Sequence, residues 1–584
     1  MLHQIKRPLF AIGSMLSFVA KNFTVSCSSL SGTLAMKLPE CPRLQQWEQL
    51  LCALTEETPH VEAFKGKWAV IGAKLARLPT QLTQLAESPN SESQLASELV
   101  EAVSQTLSDA LSLARKCRNP NLVDGKLRTQ SDIDAVTAKL HQHISDLDLL
   151  ARTGALEESS GSVSSRREWV RVEARNLMTR LQIGSAELRN SAMESLLRLL
   201  NEDDKNVLIV VAQGVVPILT RLLDSACPEM KAKAVSAISR VSVVDSCKHV
   251  LIAEGLQLIN QLIRVLESRS GFAKEKACIA LQALSFSKEN ARAIGCRGGI
   301  GALLEICEAG TPCSQAYAAG VLRNLAGFNE IYPNFIEENA VPVLIGLAGS
   351  GTFVAQENAI GCLCNLVSED QSMRLLVARE GGVECLKTFW DSAPSVYSLE
   401  VAVGLLKNLA SCRTVAEAIV SEDFFGKLKG VLSCGAVGVR IAAAGAVHEL
   451  GFSSRTRKEM GEAGFIPHLV MMLEAKAVEE KEMAAKALSS LMLYSGNRRI
   501  FTKQEKGIEC AVQLLDPLQN VDKKYAISVL ASIGNSKKCR KQIIAAGACA
   551  YLQKLIEMEI DGAKKLYESL DGNSNIWGLF GRTK

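Results

Sequence analysis

Seven histidines, eighteen cysteines and a few paired carboxylates are the residues of this 584-residue chain whose types could carry chemistry. The histidines (His3, His60, His141, His143, His249, His448, His468) are spread along the chain without a motif. His141 and His143 lie two apart, so on a helix they point in different directions and cannot form the i,i+4 pair a metal would use. No H-E-x-x-H, G-x-S-x-G or P-loop pattern is present. The cysteines sit in apolar, Ala-rich segments, as at Cys278, Cys362, Cys364 and Cys510, which reads as small buried hydrophobes kept reduced. There is no C-x-x-C, and Cys362-x-Cys364 has the wrong spacing for zinc. GCRGGIG at 295–301 imitates a phosphate loop, but no strand precedes it. The pairs Glu479–Glu480 and Asp203–Asp204 fall at helix starts, where acids are expected. The sequence therefore predicts no catalytic, cofactor-binding or metal-ligating residues, and a chain that is not an enzyme.

Charge and length narrow the remaining classes. Lys and Arg number 66 against 62 Asp and Glu, and the excess lies in residues 1–39, which hold Lys6, Arg7, Lys21 and Lys37 and no acid. The neutral remainder argues against a broad basic field for nucleic acid. No apolar run approaches the ~18–20 residues of a membrane span. Residues 8–20, PLFAIGSMLSFVA, are apolar after Lys6 and Arg7, so residues 1–39 read either as an unstructured extension or as an organelle transit segment. The favoured location is cytoplasmic or nuclear, with organelle targeting by residues 1–35 as the alternative.

The elements that fill the length are helical. Residues 40–152 read as a small helical bundle: Ser91 and Gln94 form a capping-box pair ahead of Leu95, Leu99, Val103, Leu107, Leu111 and Ala114. Ile133, Val136, Leu140, Ile144 and Leu147 mark another amphipathic helix, and Pro79 should end or kink a helix running from His60. Residues 153–167, TGALEESSGSVSSRR, lack periodicity and read as a linker.

From residue 168 the sequence repeats. A small turn residue followed by an apolar helix recurs at Gly214, Gly255, Gly299, Asn339, Gly382, Asp423, Gly464, Gly507 and Gly547, with spacings of 41, 44, 40, 43, 41, 41, 43 and 40. The turn residue suits positive φ, and Pro217, Pro342 and Pro467 fall three residues later, in a helix's first turn, where a missing N–H costs little. A further helix ends as GVLRNLA, GCLCNLV or GLLKNLA. A period of ~40–47 residues with only helical signals marks a stack in which each unit buries its apolar face against its neighbours.

On these residues, 168–584 resembles a run of nine or ten armadillo repeats. The resemblance implies an all-α fold, a right-handed superhelical solenoid preceded by the small helical bundle. One position per third helix forms a ladder: Arg198, Arg240, Ala283, Asn324, Asn365, Asn408, Glu449, Ser490 and Ser532. In that family this position lines a concave groove and its Asn side chains bond the backbone of an extended peptide. Asn324, Asn365, Asn408, Arg240 and Glu449 are thus candidate peptide-binding residues; the alternative is that the Asn side chains bond the neighbouring repeat's helix end. One turn earlier stand Gly320, Gly361, Gly404 and Gly445, costing roughly 1 kcal/mol each relative to Ala in a helix. Either a ligand backbone or adjacent helix comes close there, or tight helix packing demands them. Nuclear-import receptors of this family carry Trp at those places, so their absence argues against that activity.

The layout also resembles plant U-box/armadillo ubiquitin ligases, most clearly in SLLRLLNEDDKNVLIVVAQGVVPIL at 195–219. Their U-box is missing between the two parts, and the Cys-Pro pair in ECPRL at 40–44 lies before the bundle without the rest of the motif, so ligase activity does not carry over. The expected function is a non-enzymatic scaffold binding extended or disordered segments of protein partners, with a substrate adaptor of the ubiquitin pathway as the alternative. Oligomeric state is left open.

Overall fold

The computed structural model describes residues 42–86, 94–119, 125–155 and 166–571, and among them there are helices and turns but no strand. Residues 1–39 and Ser91 of the expected capping box lie outside the described residues. The chain forms two compact units, residues 1–254 and 255–584.

In the first unit, helices Pro42–Glu57, Lys65–Leu75, Leu78–Ala86, Gln94–Lys116 and Lys126–Ala155 share one apolar core that includes Trp47, Leu54, Trp68, Ile71, Leu107, Ile133 and Leu140. Every residue of the two amphipathic faces read from the sequence is buried, from Leu95 to Ala114 and from Ile133 to Leu147. The helix expected from His60 starts only at Lys65, because Phe64 adopts φ 58° and breaks the chain direction. Pro79 takes the second position of Leu78–Ala86, so the interruption precedes it and no backbone donor is lost. The helix Lys126–Ala155 extends into the expected linker and the next begins at Arg166; residues 156–165 are outside the described set. His143 Nε2 lies 2.9 Å from Thr106 Oγ1, and burial lowers its pKa, favouring the neutral ring.

The first unit also holds helices Arg166–Ile183, Ala186–Glu202, Asp204–Ala212, Val215–Leu222 and Pro228–Ser242. Asp204–Ala212 and Val215–Leu222 meet at an 89° bend at Gly214, whose φ is 87°. No single described helix is long and apolar enough to cross a membrane.

The second unit repeats a short first helix, a second helix and a longer third helix. Its third helices are α1 (Gly271–Leu284), α2 (Pro312–Leu325), α3 (Phe353–Leu366), α4 (Val396–Ala410), α5 (Val437–Leu450), α6 (Val478–Leu491), α7 (Lys523–Ile533) and α8 (Ala563–Asp571). Each from α1 to α8 packs on the next. The left-handed turn residue falls at Asn339, Asp423, Gly464 and Gly547 as read from the sequence, but at Gly298 and Gly381 rather than Gly299 and Gly382. Gly299 and Gly382 are glycine for another reason: a Cβ would stand 2.7 Å from the Ile294 carbonyl oxygen and 2.6 Å from that of Val377. At Gly507 the preceding residue, Lys506, has φ −105°, so that turn is made without positive φ. With the turn residues corrected, the spacing from Gly298 to Gly464 tightens to 41, 42, 42 and 41.

Local chemistry sets the third-helix boundaries. Ser270, Thr311, Thr352 and Ser395 are N-caps whose side chains accept from the backbone N–H of Ala273, Ser314, Ala355 and Ser398. At the other end, arginines of the following first helix donate to carbonyls left without helical partners: Arg374 to Val367, Arg457 to Gly451, Arg498 to Met492 and Arg540 to Gly534.

Candidate peptide-binding face

A helix turns about 100° per residue, so positions 4, 7 and 11 before the ladder residue return within about 40° of it. Four columns therefore share one face of the third-helix stack. The ladder column holds Ala283, Asn324, Asn365, Asn408, Glu449, Ser490 and Ser532 in the second unit. One turn back lie Gly320, Gly361, Gly404 and Gly445. Further back come Lys276, Tyr317 and Asn358, and then Phe272, Cys313, Val354 and Tyr397.

The ladder amides have a structural task. Asn324 Nδ2 donates to the Gln282 carbonyl at 3.3 Å and Ser285 Oγ at 2.8 Å. Asn365 Nδ2 donates to Arg323 O at 2.9 Å, and Asn408 Nδ2 to Cys364 O at 3.0 Å. The carbonyl acceptor in all three belongs to the last-turn residue just before the ladder position of the preceding third helix, whose carbonyl has no N–H of its own helix to meet. Ser490 does the same more weakly, with Oγ 3.4 Å from His448 O. Among the described residues no donor reaches Oδ1 of Asn324, Asn365 or Asn408, so each half-buried amide keeps an acceptor.

The glycine column lies beneath side chains of the preceding helix. A Cβ on Gly320 would stand 2.2 Å from Gln282 Nε2, one on Gly361 2.5 Å from Arg323 Nε, and one on Gly445 2.7 Å from Lys407 Cδ. Gly404 faces the smaller Cys364, whose Sγ would be 3.3 Å away. The adjacent helix thus makes the close approach. Arg323, spread over Gly361, lies 3.9 Å from Glu357 and donates to Asn358 Oδ1 at 3.4 Å, while Asn358 Nδ2 donates to Ala316 O at 3.0 Å.

The other candidates differ in environment. Arg240, in the first unit, is held in an ion pair with Asp204. Glu449 is half-buried beside His448, whose pKa is lowered by burial and by Lys486. Glu480, an ordinary helix-start acid by sequence, is instead buried and doubly bonded by Arg440.

The sequence reading passed over a second set of residues. Phe272 is 54% exposed, Tyr317 36%, Val354 62% and Tyr397 77%, all on the ladder face. The signal was present: Phe272, Val354 and Tyr397 each follow a Ser/Thr N-cap by two residues, a place with no core to fill. Among the described residues every cysteine is a free thiol, and no three His, Cys, Asp or Glu gather as metal ligands.

Comparisons with known proteins agree with this architecture. The armadillo/β-catenin-like repeat matches residues 203–243, and a domain of unknown function, DUF7032, matches residues 45–155. No curated protein matches the chain. Among solved structures, the crystal structure of an engineered protein from the Northeast Structural Genomics Consortium is similar, with a TM-score of 0.61 and 24% identity, covering 68% of this chain and 99% of that one. The armadillo match at residues 203–243 and the all-α solenoid of the described residues together support an armadillo-type repeat fold.

Proposed function

We propose that the protein is a non-enzymatic interaction scaffold whose third-helix face receives extended segments of partner proteins. The observation that carries this reading is the pairing of unused amide acceptors on Asn324, Asn365 and Asn408 with exposed Tyr317, Val354 and Tyr397 on the same face. Each Nδ2 already gives an N–H to the preceding helix while Oδ1 is unused, so the ladder offers acceptors to which a partner's backbone N–H donates. One interhelix step of ~8–10 Å spans about three residues of an extended chain, so every third partner residue would meet an equivalent position. Gln282, Arg323 and Lys407, lying over the glycines, are side chains that such a partner would displace or pair with.

The test is peptide-display selection on the full chain, followed by affinity measurement with Tyr397→Ser, Tyr317→Ser and Asn365→Ala/Asn408→Ala. Loss of about tenfold or more per exposed tyrosine is expected, equivalent to ~1.4 kcal/mol. Peptides bound equally by all variants would remove the face from consideration.

A second reading, a substrate adaptor in the ubiquitin pathway without its own U-box, rests on the string at 195–219. Co-purification with a conjugating enzyme or ligase would favour it. In either reading we place the protein in the cytoplasm or nucleus, where its free thiols stay reduced.

A further inference from the structure

At three of the four glycines on the third-helix face, a long side chain of the preceding helix lies across the glycine: Gln282 over Gly320, Arg323 over Gly361 and Lys407 over Gly445. These three glycines are buried. The fourth step differs. The residue before the ladder position of α3 is Cys364, and a Cβ on Gly404 would meet only its Sγ within 4 Å, at 3.3 Å. Gly404 is accordingly the half-buried glycine of the column, and Cys364 is half-buried with it. The face therefore carries a notch between α3 and α4, with a cation roofing the equivalent place on either side of it.

The lining of the notch is apolar. Tyr397, 77% exposed, and Val401, half-buried, stand two turns and one turn before Gly404 on α4, and Val354, 62% exposed, shares the face on α3. Burial pushes the Cys364 thiol up to about 11, against the smaller opposing pull of Lys407 and Arg323, so it stays protonated and adds no charge. The polar groups beside the notch are acceptors. Asn365 follows Cys364 in the chain and Asn408 stands one turn beyond Gly404, each with an unused Oδ1. A helix uses its interior N–H groups on its own carbonyls, whereas an extended chain keeps N–H groups free. Acceptors one interhelix step of ~8–10 Å apart therefore select an extended backbone over the helical surface of a second copy.

Taking the third-helix face as the partner's binding face, we propose that the Gly404–Cys364 notch is its anchor subsite. It receives one aliphatic side chain (Leu, Ile, Val or Met) of an extended segment whose backbone N–H groups donate to Asn365 and Asn408. Arg323 over Gly361 and Lys407 over Gly445 block the same insertion one step away, so a single anchor sets the partner's register along the stack.

Peptide display on the full chain tests this, with random peptides of about twelve residues, long enough to cross about four interhelix steps. Peptides selected on the wild type should share one aliphatic position. Cys364→Arg gives Gly404 the roof its neighbours have, and should abolish that preference and weaken the wild-type peptides about tenfold or more. Gly404→Ala, a change the fold has room for, should move the preference to smaller side chains with no loss of melting temperature. A wild-type pool without an aliphatic position, enrichment there of Asp or Glu drawn by Arg323 and Lys407, or an unchanged preference in either variant overturns the proposal. A dimer of the full chain that Cys364→Arg dissociates also overturns it, in favour of a second copy. Peptides that bind Asn365→Ala/Asn408→Ala and Tyr397→Ser as tightly as the wild type remove the whole face. Peptides weakened by those changes but not by Cys364→Arg remove the anchor alone.

Discussion

The Arg440–Glu480 pair gives the sharpest energetic prediction. Glu480 lies on α6 with its side chain 3% exposed, and Arg440 on α5 is 19% exposed. Arg440 Nε and Nη2 donate to the two carboxylate oxygens at 2.5 and 2.9 Å, and Nη1 donates to Cys434 O at 2.6 Å. Glu480→Gln removes the charge but keeps the shape, leaving a guanidinium largely out of water and opposite an amide NH2. Breaking a buried pair from one side costs about 3–5 kcal/mol. Arg440 keeps its carbonyl bond and some solvent, so the lower end applies, about 3 kcal/mol, or roughly a 150-fold weaker coupling between neighbouring repeats. In a linear array that loss is local. Hydrogen exchange should therefore accelerate at α5–α6 and in the helices after them, while α1–α3 keep wild-type rates, and urea unfolding should separate into two steps. Arg440→Met/Glu480→Leu should recover most of the stability, because apolar residues of similar size remove both desolvation penalties. A loss below about 1 kcal/mol, a double variant as unstable as Glu480→Gln, or uniform acceleration along the chain would refute the reasoning.

Other predictions follow from single contacts. Asn365→Ala should cost about 1 kcal/mol by leaving the Arg323 carbonyl unmet, read as faster exchange near the end of α2. Gly382→Ala should lower the melting temperature, since its Cβ meets the Val377 carbonyl at 2.6 Å, whereas Gly404→Ala, with only Cys364 Sγ at 3.3 Å, should leave it equal or raise it. The Asp370 carboxyl is held below its usual pKa, chiefly by the Ser372 hydroxyl and also by the backbone N–H groups of Ser372 and Met373. A depressed folded pKa contributes stability above the unfolded value of about 3.9 and loses it as pH falls through the folded one, so Asp370→Asn should show a smaller melting difference between pH 7 and pH 3. Burial pushes the Cys307 thiol up to about 12, so mass spectrometry after alkylation at pH 8 should find it unmodified while exposed Cys227, Cys296 and Cys313 react.

Much of the fold was legible because its signals are local. Gly and Asn at turns, Pro in first turns, Ser and Thr before third helices and apolar periodicity each act within about four residues. Their recurrence every forty-odd residues then requires an all-α stack, since no single repeat can bury its face alone. The misplaced details were also local: Gly298 and Gly381, not their successors, take positive φ, and adjacent glycines look alike in a sequence. The sequence by itself determined the helices, their period and which column faces outward together. Only the tertiary structure decided what the columns touch. That Asn365 donates to Arg323 O, that Arg323 lies across Gly361, and that Glu480 pairs with Arg440 depends on residues 38 to 42 apart meeting across a helix interface. Such contacts depend on how far each helix is shifted and rotated against its neighbour, a quantity fixed by side-chain packing between repeats and carried by no short stretch of sequence.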